Sequence, residues 1–192
     1  MKFKLLLASF CAMLALSACG DTGSEVKKKD TVTTEQGTTS DTQSELVEKE
    51  AEQDSDIKRF TLGETLTVSQ DGVDLYEITF DKAFLTDERN QYSEKVADNV
   101  VVLEYTYKNL NQEDGTYIIG GMDYKVYDST GKSLETYPAG VTLYGDTVSI
   151  GRTSTAQDAF GFNGDANQVL EIEIYDSVFS AKPLAIVEVQ PQ

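Results

Sequence analysis

Residues 99–108 read Asn-Val-Val-Val-Leu-Glu-Tyr-Thr-Tyr-Lys and form the clearest β-strand pattern in the sequence. Successive side chains of a strand point to opposite faces of a sheet, so apolar residues at every second position mark a buried face. Here the buried face carries Val101, Leu103, Tyr105 and Tyr107. The opposite face carries a glutamate, a threonine and a lysine, at residues 104, 106 and 108. The pattern predicts a half-buried strand of a sheet that packs on a core.

Shorter runs of the same kind lie on both sides of this strand, and turn residues such as Asp71-Gly72 separate them. Short strands at this spacing are typical of an all-β sandwich. We therefore predict an antiparallel β-sandwich of seven or eight strands in residues 58–192, without a helix. The further strands are expected at about 60–69, 76–85, 124–127, 153–163, 170–175 and 184–189.

The first residues have the pattern of a secretory signal. Lys2 and Lys4 precede an apolar stretch, residues 5–16, which is too short to span a bilayer. The next stretch, Leu-Ser-Ala-Cys at residues 16–19, resembles the lipobox of bacterial lipoproteins. An uncleaved anchor, or an ordinary signal cut after residue 18, is the alternative.

The resemblance to a lipobox implies a location and a modification. In lipoproteins the cysteine thiol receives a diacylglyceryl group and the signal is cut off before the cysteine. Residues 1–18 would then be removed as a signal peptide, and Cys19 would carry the lipid, with acyl chains such as palmitate. Two or more acyl chains hold a protein stably on a membrane. We expect a protein anchored to the extracytoplasmic face of the cell membrane, as on a Gram-positive cell surface.

Residues 19–57 are predicted to be a disordered acidic tether between the lipid and the sandwich. They lack aromatic residues and are rich in threonine, serine, glutamate and aspartate. Such a composition cannot bury enough surface to offset the entropy of ordering. Fully stretched, a tether of this length would reach about 120 Å.

The overall composition excludes several function classes. With 16 basic and 33 acidic residues, the chain has a net charge of −17 and would repel nucleic-acid phosphates. Histidine is absent and the two cysteines are Cys11, in the signal, and Cys19. Catalysis by Ser-His-Asp or Cys-His and metal sites built on imidazole are therefore excluded. We predict no cofactor and no nucleic-acid partner.

The order of motifs in the folded part is similar to that of a known family. Leu-Gly-Glu-Thr at 62–65 is followed by the strand at 100–109, then by Tyr-Lys-Val-Tyr-Asp-Ser-Thr-Gly-Lys at 124–132 and by Phe-Gly-Phe at 160–162. This order resembles the uncharacterised bacterial lipoprotein domains of immunoglobulin-like fold that are related to a small secreted mycobacterial antigen. The resemblance implies an immunoglobulin-like sandwich and brings no catalytic residues. That family usually has Pro-Gly before the strand that carries the Phe-Gly-Phe motif, whereas this sequence has Ile150-Gly151.

Candidate interaction residues are four tyrosines and one aspartate. Exposed aromatic rings on loops can anchor a protein partner or stack on sugars, and Tyr92, Tyr117, Tyr137 and Tyr144 lie in or near predicted loops. The alternative interpretation is that these tyrosine rings simply pack against the rim of the sandwich. Asp158 falls by alternation on the inward face of its strand, where a carboxylate often marks a functional site. The alternative is a β-bulge, or an inward pattern that begins only after it.

Other acidic residues suggest two further sites. Glu104, Glu171 and Glu173 lie on the polar faces of strands, and if those strands share a sheet, paired carboxylates could bind calcium or act as acid and base. A solvated charged face is the alternative. Acidic loops at 86–99 and 111–115 would hold calcium if their carboxylates met at one point.

These observations favour a non-catalytic interaction module over an enzyme. We expect the sandwich to present loops or a sheet edge to an envelope or cell-surface protein. One alternative is an accessory domain that binds calcium or a cell-wall ligand. The other is a wall hydrolase, which would need two carboxylates about 5–10 Å apart in a cleft.

Overall fold

The computed structural model describes residues 23–29, 57–177 and 179–192, and within these residues all regular elements are β-strands. Cys19, the signal peptide and residues 30–56 lie outside this part of the chain. The strands are β1 (Ser24–Lys28), β2 (Lys58–Thr61), β3 (Thr65–Gln70), β4 (Val73–Leu85), β5 (Asn99–Asn109), β6 (Tyr124–Tyr127), β7 (Glu135–Thr136), β8 (Thr153–Phe162), β9 (Leu170–Ile174) and β10 (Ala185–Val189). Among the described residues there is no helix long and apolar enough to cross a bilayer.

The strands form two sheets that pack against one apolar core. The larger sheet has six strands in the order β1-β3-β4-β5-β8-β7, and the smaller has four in the order β2-β10-β9-β6. Neighbouring strands are antiparallel except β2 and β10, which are parallel. Buried side chains from both sheets belong to the same core cluster. The predicted all-β sandwich is therefore confirmed.

Strand β5 lies between β4 and β8 and is buried on both faces at its start. The predicted inward residues, 101, 103, 105 and 107, are all buried in the core. Val100 and Val102 on the opposite face are also buried, because Tyr137 and Ala159 pack with them in a second, smaller cluster. The uninterrupted run of apolar residues in this strand thus reflects two covered faces.

The stretch predicted as one strand over residues 60–69 is divided between the two sheets. Strand β2 pairs with β10 in the smaller sheet, and β3 pairs with β4 in the larger one. The turn between them contains Gly63 with a φ angle of 84°. Since L-residues with a side chain rarely adopt this conformation, glycine allows the chain to cross from one sheet to the other here.

Strand β1 lies inside the predicted tether, and for residues 24–28 that prediction is wrong. Ser24 is opposite Gln70 and Lys28 is opposite Leu66 in an antiparallel ladder with β3. Val26 is only 3% exposed and belongs to the core. A short edge strand needs few apolar residues, because backbone hydrogen bonds and ion pairs to its neighbours hold it as well. Polar composition alone therefore misidentified this stretch.

Candidate functional site

Two segments of mostly irregular structure, residues 86–98 and 133–146, meet over the outer face of the larger sheet, and we call them together the loop surface. The backbone N–H of Tyr137 donates to the carbonyl oxygen of Ala159 in β8 at 2.8 Å. The Tyr137 side chain is 7% exposed and packs with Val100 and Val102 of β5. The loop surface is thus fixed to the centre of the sheet.

A side chain of one segment also holds the other. Lys95 Nζ donates to the carbonyl oxygen of Thr136 at 2.7 Å and lies 3.4 Å from a carboxylate oxygen of Glu135. Beside this contact is a cleft of about 230 Å³, lined by residues of both segments and by the end of β8. Its charged lining residues have both signs: Lys95, Lys132, Asp128 and Glu135. Such a lining fits a small polar ligand better than an apolar one.

The four candidate tyrosines have very different environments. Tyr92 is 87% exposed and Tyr144 is 76% exposed, both on the loop surface. Tyr117 is about half exposed and approaches Gly145, so it borders the same surface. Tyr137 is buried, which agrees with the packing alternative for this residue. The rings of three of the four tyrosines are therefore accessible, with Tyr117 next to the segment that carries Tyr144.

Sequence reasoning missed one exposed apolar residue of the loop surface. Val96 is 91% exposed and lines the cleft beside Lys95. Isolated exposed apolar residues are common on protein surfaces, but this one shares its loop with Tyr92. An apolar residue within a charged predicted loop was the available signal.

Asp158 lies on the inward face of β8, as its alternation indicated. The pairing of β5 with β8 continues without a shift from Lys108 opposite Thr153 to Asn99 opposite Phe162, so the alternative of a bulge in this ladder is wrong. Asp158 Oδ2 accepts hydrogen bonds from the Tyr124 hydroxyl at 2.7 Å and from the Tyr105 hydroxyl at 2.8 Å. We call Tyr105, Tyr124 and Asp158 the tyrosine–aspartate cluster.

A backbone group completes the cluster. The N–H of Gly120 donates to Asp158 Oδ2 at 2.8 Å. A Cβ atom at residue 120 would lie 2.8 Å from that oxygen and 2.9 Å from the Tyr124 hydroxyl, so only glycine permits this close approach. The Tyr105 hydroxyl is also 2.9 Å from the carbonyl oxygen of Ile118, a second acceptor for its proton. The carboxylate thus joins β5, β6, β8 and the segment before β6.

The cluster is built to keep its tyrosines protonated. Burial, and after it the negative charge of Asp158, raises the pKa of both Tyr105 and Tyr124 well above the ordinary value for tyrosine. A phenol in this state donates a hydrogen bond and does not act as a base near neutral pH. The geometry therefore indicates a structural role across the two sheets.

The three candidate glutamates do not all lie in one sheet. Glu104 belongs to β5 of the larger sheet, whereas Glu171 and Glu173 belong to β9 of the smaller sheet. Alternation along a strand shows which face a residue occupies but not which sheet the strand joins. Convergence of all three carboxylates on one sheet face is therefore excluded, which leaves the alternative of charged faces.

Two of these glutamates have a cationic partner, and the third, Glu173, accepts a hydrogen bond from the Tyr175 hydroxyl. Lys82 Nζ lies 2.6 Å from Glu104, and this ammonium group lowers the pKa of the Glu104 carboxyl. Arg59 Nη1 lies 2.8 Å from Glu171 and 2.7 Å from Glu188, on the exposed face of the smaller sheet. These arrangements are typical of charged solvent faces.

The loops that could have grouped carboxylates around calcium do not do so in the described part of the chain. Within residues 23–29, 57–177 and 179–192, no three histidine, cysteine, aspartate or glutamate side chains come close enough to hold a metal ion. This applies to both the 86–99 and the 111–115 loops.

Comparison with known proteins gave two distant structural similarities. One is a candidate lipoprotein (ycdA) of Bacillus subtilis, with a TM-score of 0.49 and 15% identity over 60% of this chain and 36% of that chain. The other is a candidate lipoprotein of Staphylococcus aureus, with a TM-score of 0.44 and 12% identity over 65% of this chain and 87% of that chain. The chain thus spans about a third of the Bacillus subtilis structure. Similarities this distant carry no argument about activity. No family model and no curated protein matches the chain.

Proposed function

We propose that this protein is a lipid-anchored extracytoplasmic lipoprotein, as on a Gram-positive cell surface, whose sandwich is a non-catalytic module that binds an envelope protein through the loop surface. The observation that carries the binding role is the combination of exposed rings with a rigid support. Tyr92, Val96 and Tyr144 are largely exposed, while the segments that bear them are fixed to β8 and to each other.

Rigid support favours binding because little entropy is lost when the partner docks. Aromatic side chains on a fixed backbone give large contact areas with few rotatable bonds. Tyrosine is enriched among the residues that contribute most to protein interfaces. The acidic net charge of −17 favours a partner surface that carries basic residues.

The anchor rests on the sequence at residues 16–19. A basic start, a short apolar segment and small residues directly before Cys19 are the features that the lipoprotein modification requires. The non-catalytic role is supported by the environment of the carboxylates, since Glu104 and Glu171 are each paired with a cation on a solvent face.

A second candidate function is the binding of a small cell-wall ligand in the cleft of the loop surface. The observation that favours it is the mixed charge of the lining, with Lys95 and Lys132 near Asp128 and Glu135. A zwitterionic fragment of wall peptide would find both signs there. Calcium is the poorer alternative, because the described residues bring no three carboxylates together.

The anchor is tested by Cys19→Ala. We expect the protein to move from the membrane fraction to the medium, because the covalent lipid is lost. A variant that stays in the membrane fraction would show that another feature holds it.

The binding role is tested by photocrosslinking in intact cells. A photoreactive phenylalanine analogue would replace Tyr92 or Tyr144, and Glu113, an exposed residue at the end of the sandwich opposite to Tyr92, would be the matched control. We expect a discrete crosslinked protein from positions 92 and 144 and none from 113. The same products from all three positions, or none from any, would contradict a protein partner on the loop surface.

A further inference from the structure

We infer that the lipid on Cys19 holds the sandwich directly against the membrane by one particular end, so that the 86–98 segment of the loop surface faces away from the bilayer. This inference rests on the proposed lipid anchor. It differs from the long tether that the sequence predicted, because β1 belongs to the folded domain.

Strand β1 is attached to the sandwich along its whole length. It forms an antiparallel ladder with β3, and Val26 lies in the core. The lysines that follow are engaged as well, since Lys27 pairs with Asp74, Lys28 with Glu64 and Lys29 with Glu77. The second strand of the chain, β2, also contacts β1, because Lys58 Nζ donates to the carbonyl oxygen of Val26.

The chain between the lipid and β1 is therefore very short. Ser24, the first residue of β1, is five residues after Cys19. Five residues span at most about 18 Å when fully extended. Residues 30–56 do not lengthen this link, because they join β1 to β2, and both strands belong to the sandwich.

The position of Ser24 defines the end that the lipid holds. Ser24 is opposite Gln70, at the turn between β3 and β4. The segments 110–115 and 149–152 lie at the same end, since Asn111 Nδ2 donates to the carbonyl oxygen of Asp74 at 2.7 Å and the backbone N–H of Asn109 donates to Arg152 at 3.0 Å. We call residues 70–73, 110–115 and 149–152 the anchor-side end.

The surface of the anchor-side end can lie close to lipid, but its charges do not attract it to anionic headgroups. It exposes two apolar side chains, Val73 and Ile150, each about half accessible. It also carries three exposed acids, Asp71, Glu113 and Asp114, against one exposed cation, Arg152, so anionic headgroups would repel it. Covalent attachment, and not surface charge, therefore keeps this end at the membrane.

The 86–98 segment of the loop surface lies at the opposite end, whereas residues 143–146 lie beside residues 154–157 of β8, nearer to the anchor-side end. The segment 86–98 joins the last residue of β4, opposite Val101, to the first residue of β5. Strand β5 has 11 residues and runs from the 86–98 segment to the anchor-side end, a length of about 34 Å. A partner that binds Tyr92 would therefore meet it about 30–50 Å above the bilayer surface, a distance set by the strand and the short link.

The inference is tested by energy transfer between the lipidated protein and labelled lipid headgroups. The full mature lipoprotein, purified from membranes, would be reconstituted in vesicles of phosphatidylcholine and phosphatidylglycerol. Because Cys11 leaves with the signal and the Cys19 thiol is alkylated, one introduced cysteine gives one donor site. Glu113→Cys places it at the anchor-side end and Gln91→Cys on the loop surface; both residues are exposed.

We expect transfer from position 113 to be at least about twofold more efficient than from position 91, because the two ends are about 34 Å apart. A matched variant with 20 Gly-Ser residues inserted after Gly20 should remove the difference, since a coil of that length extends about 25 Å. Equal transfer from both positions, or stronger transfer from position 91, would overturn the orientation.

The experiment separates this inference from the proposed anchor. Mass spectrometry of the purified protein reports whether Cys19 carries lipid. An unlipidated Cys19 overturns both the anchor and the orientation. A lipidated protein with equal transfer from both ends overturns the orientation alone.

Discussion

The tyrosines of the core and the tyrosines of the loop surface use the same side chain in opposite ways. Tyr105 and Tyr124 are almost fully buried, and their hydroxyls donate to one carboxylate between the sheets. Tyr92 and Tyr144 are largely exposed, and their rings face solvent. The contrast shows that burial separates residues that hold the sandwich together from residues that are available to a partner.

Aromatic packing surrounds the tyrosine–aspartate cluster. The rings of Tyr105 and Tyr124 meet edge to face with centroids 5.5 Å apart, and Phe80 and Phe160 pack on Tyr124 at 5.1 and 6.0 Å. A carboxylate among such rings is costly unless its oxygens accept hydrogen bonds. The two hydroxyls and the Gly120 N–H offset that cost and fix the position of β6 against β8.

The largest expected effect comes from removing the shared acceptor. Asp158→Ala leaves the Tyr124 hydroxyl and the Gly120 N–H without their shared acceptor, while the Tyr105 hydroxyl can still donate to Ile118, and each unsatisfied buried donor costs about 1–3 kcal/mol. We expect the free energy of unfolding of the unlipidated chain 20–192 to fall by about 3–5 kcal/mol, measured by urea denaturation.

Asp158→Asn is the matched control, because it keeps one acceptor oxygen in nearly the same shape. It should lose about half as much stability as the alanine variant. An alanine variant as stable as the unsubstituted chain would mean that the cluster contributes nothing to folding.

The second effect is a loss of stability at alkaline pH. Burial raises the pKa of Tyr76, and burial together with Asp158 raises the pKa values of Tyr105 and Tyr124. In the unfolded chain these phenols ionise near pH 10, whereas in the folded protein they stay protonated. The stability that they contribute is therefore complete below about pH 10 and falls as the pH rises above it.

For each such tyrosine the free energy of unfolding should fall by about 1.4 kcal/mol per pH unit above pH 10. Urea denaturation between pH 8 and pH 11 measures this slope. Tyr76→Phe removes one titrating group, so the slope should become shallower by about 1.4 kcal/mol per pH unit. A flat profile to pH 11 would show that the buried phenols ionise in the folded state.

The sequence predicted the strands whose residues alternate and missed what depends on pairing between distant segments. The inward faces of β5 and β9 followed from alternation and are confirmed by the burial of Leu103 and Ile172. β1 could not be recognised, since its ion pairs to Asp74 and Glu77 join residues almost 50 positions apart. No local signal encodes such contacts.

The candidate site shows the same division. Loop composition indicated where Tyr92 and Tyr144 lie, because loops run over the surface. Alternation placed Asp158 inward, but its donors come from β5, from β6 and from residue 120, and only the packing of the two sheets brings them together. Alternation likewise could not show that Glu104 and Glu171 belong to different sheets.

The smallest expected effect on stability is that of the exposed tyrosines, and it sharpens the comparison most directly. Replacing Tyr92 and Tyr144 together by serine removes only exposed rings, so the free energy of unfolding should change by less than about 0.5 kcal/mol. Binding to the partner identified by crosslinking should weaken at least tenfold, since an anchoring aromatic residue contributes about 1–2 kcal/mol or more. Titration of that partner against both forms measures the change. Glu113→Ser, at the anchor-side end, is the control and should alter neither quantity. If the double variant binds unchanged, the exposed rings are not the contact surface, and the cleft beside Lys95 becomes the leading site.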